Sequence, residues 1–98
     1  MDNTKNCTLD EMRRIMLPFD QLTALGWKKG DRIFPRLTEG FKALELRKTD
    51  DGMMQIDELN RVTLHEVLCD KLKLNINDAL TTTTHVSNAM LILARAVK

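Results

Sequence analysis

The sequence repeats itself. Residues 8–49 align with residues 55–96 at a constant offset of 47 residues and without a gap. Eight of the 42 aligned pairs are identical, whereas average residue usage gives about two or three by chance. Apolar positions also match to the end of the alignment, as in Leu44 with Leu91 and Leu46 with Leu93. This period predicts two copies of one structural unit, each too small to bury a stable core alone.

The two copies cover most of a chain of 98 residues. That length is enough for one compact core shared by both copies, and it is too short for two independent domains. We therefore predict one folded domain, composed of repeat 1 (residues 8–49), a linker (residues 50–54) and repeat 2 (residues 55–98).

The local sequence patterns of repeat 1 predict a strand, a short helix and two further strands, in that order. A short apolar run at residues 14–17 predicts a strand. Apolar residues at helical spacing over residues 19–25, followed by Gly26, predict a short helix. After a turn, residues 32–37 and 42–48 predict two strands joined as a hairpin.

Repeat 2 shows the same order. Residues 61–64 predict a strand, residues 66–72 a short helix, and residues 79–86 a threonine-rich strand. The tail over residues 89–97 contains good helix formers and could be a helix when taken alone. Its register with the last strand of repeat 1 favours a strand.

Two motifs occur in both copies. The first is Asp-x-x-x-Arg, at Asp10/Arg14 and at Asp57/Arg61, each followed by the predicted first strand. The second is Leu-Gly-x-x-x-Gly-Asp at residues 25–31, with the counterpart Leu-Lys-Leu-Asn-Ile-Asn-Asp in repeat 2. Together they resemble the AbrB/SpoVT family of swapped-hairpin DNA-binding domains. The related MraZ proteins also carry the first motif, and MazE-type antitoxins share the fold.

This resemblance implies a fold and a function. In that family two copies interlock, each lending strands to the other's sheet, and usually two chains supply them. For this chain it implies a mostly β fold with short helices, in which two βαββ units form a single-chain pseudo-dimer barrel. It also implies a cytoplasmic, DNA-binding transcriptional regulator that binds double-stranded DNA and self-associates into a dimer of pseudo-dimers.

Basic residues are unevenly divided between the copies. The net charge of +1 gives no global basic field. Repeat 1, however, has nine Lys and Arg against six Asp and Glu, whereas repeat 2 has five of each. We therefore predict a phosphate-contacting patch mainly on repeat 1. The predicted DNA-binding residues are Arg13, Arg14, Lys28, Lys29, Arg32, Arg36 and Arg61.

The two arginines of the first motif have two possible roles. Asp10 and Asp57 could hold Arg14 and Arg61 in internal salt bridges, which is the role we expect for the aspartates. The arginines could also contact a phosphate or a base edge. The family resemblance favours the second role, because it places this arginine on the DNA-facing side.

The chain departs from the family where other basic residues are expected. The adjacent helix arginines are replaced by Leu22-Thr23 and Cys69-Asp70. The segments just before the two Asp-x-x-x-Arg motifs also lack the family's basic residue and have Cys7-Thr8 and Met54-Gln55. The alternative is therefore a protein-interaction module, such as an antitoxin or a small adaptor. Its partner would contact apolar or edge-strand surface around Trp27, Met53 and Met54.

No pattern indicates an enzyme or a cofactor. The four glycines are scattered and form no phosphate-binding loop. Cys7 and Cys69 lack metal-ligand spacing with the histidines, and we expect reduced thiols in a cytosolic protein. His65 and Cys69 would share a helix face as a thiol–imidazole pair, but we expect Cys69 to be a buried replacement for Leu22.

No membrane or secretion signal is evident either. The longest apolar stretch, residues 90–94, is too short to span a bilayer. The first six residues contain no apolar run of the kind found in signal peptides.

Overall fold

The computed structural model describes residues 3–96, which form a mostly β structure with two short helices. The strands are β1 (Thr4–Thr8), β2 (Arg14–Met16), β3 (Arg32–Leu37), β4 (Ala43–Lys48), β5 (Met54–Gln55), β6 (Arg61–Thr63), β7 (Ala79–His85) and β8 (Met90–Arg95). The helices are α1 (Phe19–Leu25) and α2 (Glu66–Leu72). Short 3-10 turns, Glu39–Phe41 and Val86–Asn88, connect β3 to β4 and β7 to β8.

The strands form two antiparallel sheets. Six of them make one sheet in the order β1-β7-β8-β4-β3-β5, and β2 pairs with β6 in a separate two-stranded sheet. Strand β1 pairs with β7, β5 pairs with β3, and β4 pairs with β8 at the centre of the larger sheet. Both halves of the chain therefore contribute to both sheets.

The elements recur at the same 47-residue spacing as the sequence. Strands β2 and β6, helices α1 and α2, and strands β4 and β8 each begin 47 residues apart. The pairing register recurs too. Thr8 lies opposite Ala79, and their counterparts 47 residues away, Gln55 and Arg32, also lie opposite each other. The backbone pairing thus has an approximate two-fold symmetry within one chain.

One aliphatic core lies beneath both sheets. In β4, Leu44 and Leu46 are buried and alternate with more exposed residues, as expected for a strand with one apolar face. Ile15 of β2 and Val62 of β6 join the same cluster from the smaller sheet. The outer faces of the two sheets are therefore separated by the core.

Most predicted elements are confirmed. Both helices have the predicted bounds, and the tail is a strand, β8, although the predicted end at Val97 lies outside the described residues. Strands β1 and β5 were missed, and β5 begins inside the predicted linker. Both are edge strands of the larger sheet. They are stabilised by pairing with a strand distant in sequence, and neither has the local apolar pattern that predicts a strand.

The two helices end in the same left-handed conformation on different residues. The residue after α1 is Gly26, with φ of 72°, and the residue after α2 is Lys73, with φ of 58°. Glycine adopts this conformation without a steric penalty, whereas a side chain with a Cβ atom is strained there.

Gln21 of α1 is a fully buried polar residue on one side of the core. Its Nε2 donates to the carbonyl oxygen of Thr82 at 2.8 Å and to Asn3 Oδ1 at 2.9 Å. The Thr82 hydroxyl donates in return to Gln21 Oε1 at 2.6 Å. The counterpart of Gln21 is Leu68, which packs against the apolar core, so this network exists in one copy only.

Gln21→Leu should lower the free energy of unfolding by about 1–3 kcal/mol, because it leaves the buried Thr82 hydroxyl without its acceptor. The double variant Gln21→Leu/Thr82→Val removes both partners and should recover part of that loss. Urea unfolding followed by circular dichroism measures both. A Gln21→Leu protein as stable as the wild type would contradict this account.

Candidate nucleic-acid interface

The first Asp-x-x-x-Arg motif is a tight turn built around one carboxylate. Asp10 Oδ1 accepts hydrogen bonds from the backbone N–H groups of Met12 and Arg14, both at 2.8 Å. Asp10 Oδ2 accepts a third from Arg14 Nε at 3.1 Å. Arg13 occupies the left-handed region with φ of 60°. The turn therefore fixes the direction of the Arg14 side chain where β2 begins.

The second motif repeats this geometry. Asp57 Oδ1 accepts from the backbone N–H groups of Leu59 at 2.9 Å and Arg61 at 2.8 Å. Asp57 Oδ2 accepts from Arg61 Nε at 2.9 Å. Asn60 has φ of 62°, like Arg13 at the corresponding position. Both predicted salt bridges are present.

These hydrogen bonds lower the pKa of both aspartates. For Asp10 the largest cause is the backbone N–H of Arg14, which donates to the ionised carboxylate. For Asp57 partial burial acts in the opposite direction. The N–H groups of Arg61 and Leu59, together with the Arg61 guanidinium, outweigh it, and the pKa is again lowered.

Arg14 and Arg61 lie on one exposed face. In the β2–β6 pair, Arg14 is opposite Thr63 and Arg61 is opposite Met16. Opposed residues share a face of the sheet, and the residues between them are buried in the core. Each salt bridge uses Nε, and within residues 3–96 the terminal nitrogens of these arginines have no hydrogen-bond acceptor. The face thus presents two positioned guanidinium groups with free donors.

The turn that contains Lys28 and Lys29 lies next to the second motif. The backbone N–H of Gly30 donates to Ile56 at 2.8 Å, and Ile56 donates to Asp31 at 3.0 Å. The predicted lysines of repeat 1 therefore flank the Asp57–Arg61 turn of repeat 2. The counterpart turn, residues 75–78, flanks the Asp10–Arg14 turn and contains no basic residue.

The structure separates the remaining predicted DNA-binding residues. Arg13 is exposed at its turn, next to Arg14. Arg32 is on β3, where its Nη1 donates to the carbonyl oxygen of Gly52 at 3.1 Å. Arg36 lies further along β3, opposite Glu45, on the outer face of the six-stranded sheet. The core separates Arg36 from the face that carries Arg14 and Arg61.

Each Asp-x-x-x-Arg turn also exposes an apolar and an acidic side chain. Met12 is 60% exposed and its counterpart Leu59 is 57% exposed. Glu11 and Glu58 are exposed beside them. Sequence reasoning did not single these residues out, although all four match in the repeat alignment. The glutamates reduce the positive potential near both arginines.

His65 and Cys69 do not form a reactive pair. The thiol of Cys69 lies in the core, as predicted for a replacement of Leu22, and burial raises its pKa. His65 precedes α2, where its Nδ1 accepts from the N–H of Val67 at 3.1 Å. Burial also raises the pKa of the Cys7 thiol, to about 11. Neither cysteine is therefore in a setting that favours its nucleophilic thiolate.

The prediction of a protein-binding surface around Trp27, Met53 and Met54 is partly wrong. Trp27 and Met54 belong to the buried core, where they are only 5% and 6% exposed. Only Met53 of the predicted three is exposed, at 70%. Among residues 3–96 there is no group of three or more His, Cys, Asp or Glu side chains that could hold a metal ion. In that same range no helix has the length and apolar character needed to cross a membrane.

No protein-family model matches the sequence, and no curated protein is significantly similar to it.

The two aspartates should make stability depend on acid pH. A carboxyl with a lowered pKa in the folded state stabilises the fold above its ordinary value of 3.8, and this contribution disappears as the pH falls through the lowered value. Asp10→Asn/Asp57→Asn keeps the Oδ1 acceptors but cannot titrate. Between about pH 5 and pH 2, its free energy of unfolding should therefore fall less than that of the wild type.

Chemical unfolding at a series of pH values measures this difference. Asp51→Asn is the matched control, because Asp51 is exposed and lies outside both turns. Equal acid sensitivity of the double variant and the wild type would show that the two carboxylates do not stabilise the fold.

Proposed function

We propose that this protein is a DNA-binding transcriptional regulator with an AbrB-like swapped-hairpin fold, which contacts duplex DNA through the exposed face of the β2–β6 sheet. The observation that carries the proposal is the pair of Asp-fixed arginines, Arg14 and Arg61, on that one face. Their hydrogen bonds are nearly identical, and they are related by the two-fold pattern of the backbone.

The exchange of strands supports the fold assignment. Strand β1, near the beginning of the chain, pairs with β7 from the second half, and β5 pairs with β3 from the first half. Two interlocked hairpin units would produce this pairing. The Asp-x-x-x-Arg motifs, on which the resemblance to the family rests, occupy equivalent positions in both halves.

The chemistry of the face suits a duplex. A guanidinium held through Nε has already lost part of its rotational freedom, so less entropy is lost when its terminal nitrogens bind a phosphate or a guanine edge. Duplex DNA also offers equivalent groups on its two strands, and a two-fold protein face can contact both. Lys28 and Lys29 add charge at one end of the face.

The expected affinity is modest and strongly dependent on salt. Glu11 and Glu58 oppose binding at both turns, and lysines flank only one of them. Most of the attraction would therefore come from a few phosphate contacts, each of which releases counterions. The contacts at the two ends should also be unequal, since only the Asp57–Arg61 turn has the lysine-bearing turn beside it.

Arg14→Ala/Arg61→Ala should weaken duplex binding. If each arginine contacts one phosphate, the slope of log K against log salt should decrease by about 0.9 per arginine removed. Fluorescence anisotropy with random-sequence duplexes across a salt series measures both quantities. Arg36→Ala is the control, because Arg36 lies on the outer face of the other sheet, and it should change neither.

Two results would contradict the proposal. One is the absence of binding to any duplex at low salt. The other is a decrease in affinity on Arg36→Ala equal to that of the double variant, which would move the binding surface to the six-stranded sheet. Circular dichroism of each variant shows whether the fold is intact.

A protein-interaction module, such as an antitoxin or adaptor, is a second candidate, and one surface feature favours it. A groove of about 620 Å³ runs between β1 and the start of α1, and Met16 and Phe19 line it. Phe19 is exposed, and β1 is an edge strand whose outer side faces no other strand of the described residues. A partner strand could pair with that edge. Recovery of the protein from its host without any partner would count against this candidate.

A further inference from the structure

A second basic surface lies away from the β2–β6 face. It is an open groove of about 440 Å³ between the turn that joins β3 to β4, the end of α2 and the end of β8. Four cationic side chains and one aromatic ring line it, and no acidic residue does. We call it the basic groove, and these residues are Lys42, Lys71, Lys73, Arg95 and Phe41.

The four cations of the basic groove are not neutralised. Within residues 3–96 none of them forms a salt bridge, whereas Lys5, Arg14, Arg47, Lys48 and Arg61 all do. The ammonium of Lys71 lies 5.3 Å from the centre of the Phe41 ring. Asp70 precedes Lys71 on α2 but does not line the groove. Positive charges clustered in a concave surface attract anions and raise their local concentration.

Two residues of the basic groove adopt backbone conformations that disfavour side chains. Phe41 has φ of 54° and Lys73 has φ of 58°. Phe41 is also 51% exposed, although burial of its ring would stabilise the fold. A strained backbone and an exposed aromatic ring both lower the stability of the fold. Backbone strain of this kind is found at binding sites, and an exposed ring is accessible to a ligand.

The counterpart positions, 47 residues away, show that the fold does not need these side chains. The residues 47 positions away from Lys71, Lys73, Phe41 and Lys42 are Ala24, Gly26, Asn88 and Ala89. Only Arg47 and Lys48 are basic on that side, and they form ion pairs with Glu45 and Asp31. The basic groove therefore exists once in a structure whose backbone pairing is two-fold.

We propose that the basic groove binds single-stranded nucleic acid, with phosphates on the four cations and an unpaired base stacked on Phe41. A positive groove with an exposed aromatic side chain is the arrangement that recognises single strands, because each base has a flat face to stack. A duplex keeps its bases stacked on one another and offers the ring no free face. This site is additional to the duplex contact through Arg14 and Arg61, and none of its lining residues belongs to β2 or β6.

Removal of charge is the first test. The triple variant Lys42→Ala/Lys71→Ala/Lys73→Gly replaces three cations by the residues found at their counterpart positions. It should fold, because glycine relieves the backbone strain at position 73. This variant should bind a labelled single strand of about eight nucleotides, within the usual site size, more weakly than the wild type does. The slope of log K against log salt should decrease by about 0.7 for each phosphate that the variant no longer binds. Anisotropy titrations over a salt series measure the slope.

Removal of the ring is the second test. Phe41→Asn introduces the counterpart residue, which tolerates a positive φ. It should weaken single-strand binding by at least about fivefold, the lower end for loss of one stacked base, and leave the salt slope unchanged. Arg14→Ala/Arg61→Ala should not affect single-strand binding, so this proposal and the duplex proposal can fail independently.

Three results would overturn the proposal. The first is no binding of single strands at low salt. The second is binding of duplex and single strand with equal affinity and no effect of Phe41→Asn. The third is binding of AMP as tightly as the oligonucleotide, which would assign the groove to a free nucleotide. Urea unfolding of every variant separates loss of binding from loss of fold.

Discussion

The antiparallel pairing of β4 with β8 is the interaction on which the rest of the structure depends. It joins the two halves of the chain at the centre of the larger sheet, and it places Leu44 opposite Leu93 and Leu46 opposite Leu91 in the core. The hydrophobic effect of burying these side chains requires both halves at once. Strands β1 and β5, which each pair across the same division, then extend the sheet on both sides.

This shared core explains how the β2–β6 sheet can present a two-fold surface. Each of its strands has three residues, too few for an isolated two-stranded sheet to be stable. Ile15 and Val62 anchor the strands in the core, and the Asp-centred turns fix the residues that precede them. Two arginines are thus held on a rigid support by carboxylates, whose lowered pKa values show that the ionised form is stabilised in place.

Sequence patterns predicted the elements that depend on local order. Helix bounds, the alternation in β4 and the choice of strand for β8 all followed from apolar spacing combined with the 47-residue register. The missed strands have no such signal, because β1 is a polar segment held by β7 and β5 has two residues. The sequence also could not predict that Arg36 lies on the outer face of the larger sheet, away from Arg14 and Arg61. Which basic residues share a surface depends on sheet curvature and on pairing between distant strands.

Repetition constrains the two copies unequally. Positions that hold the backbone together, such as the aspartates of both turns and the leucines of β4 and β8, are the same in both copies. Other positions have diverged, and the clearest case is the residue after each helix. Gly26 suits the left-handed conformation there, whereas Lys73 adopts it with strain and adds its charge to the basic groove. The strained positions Phe41 and Lys73 come from different copies and meet in the same groove, so the two-fold backbone carries side chains that are not two-fold.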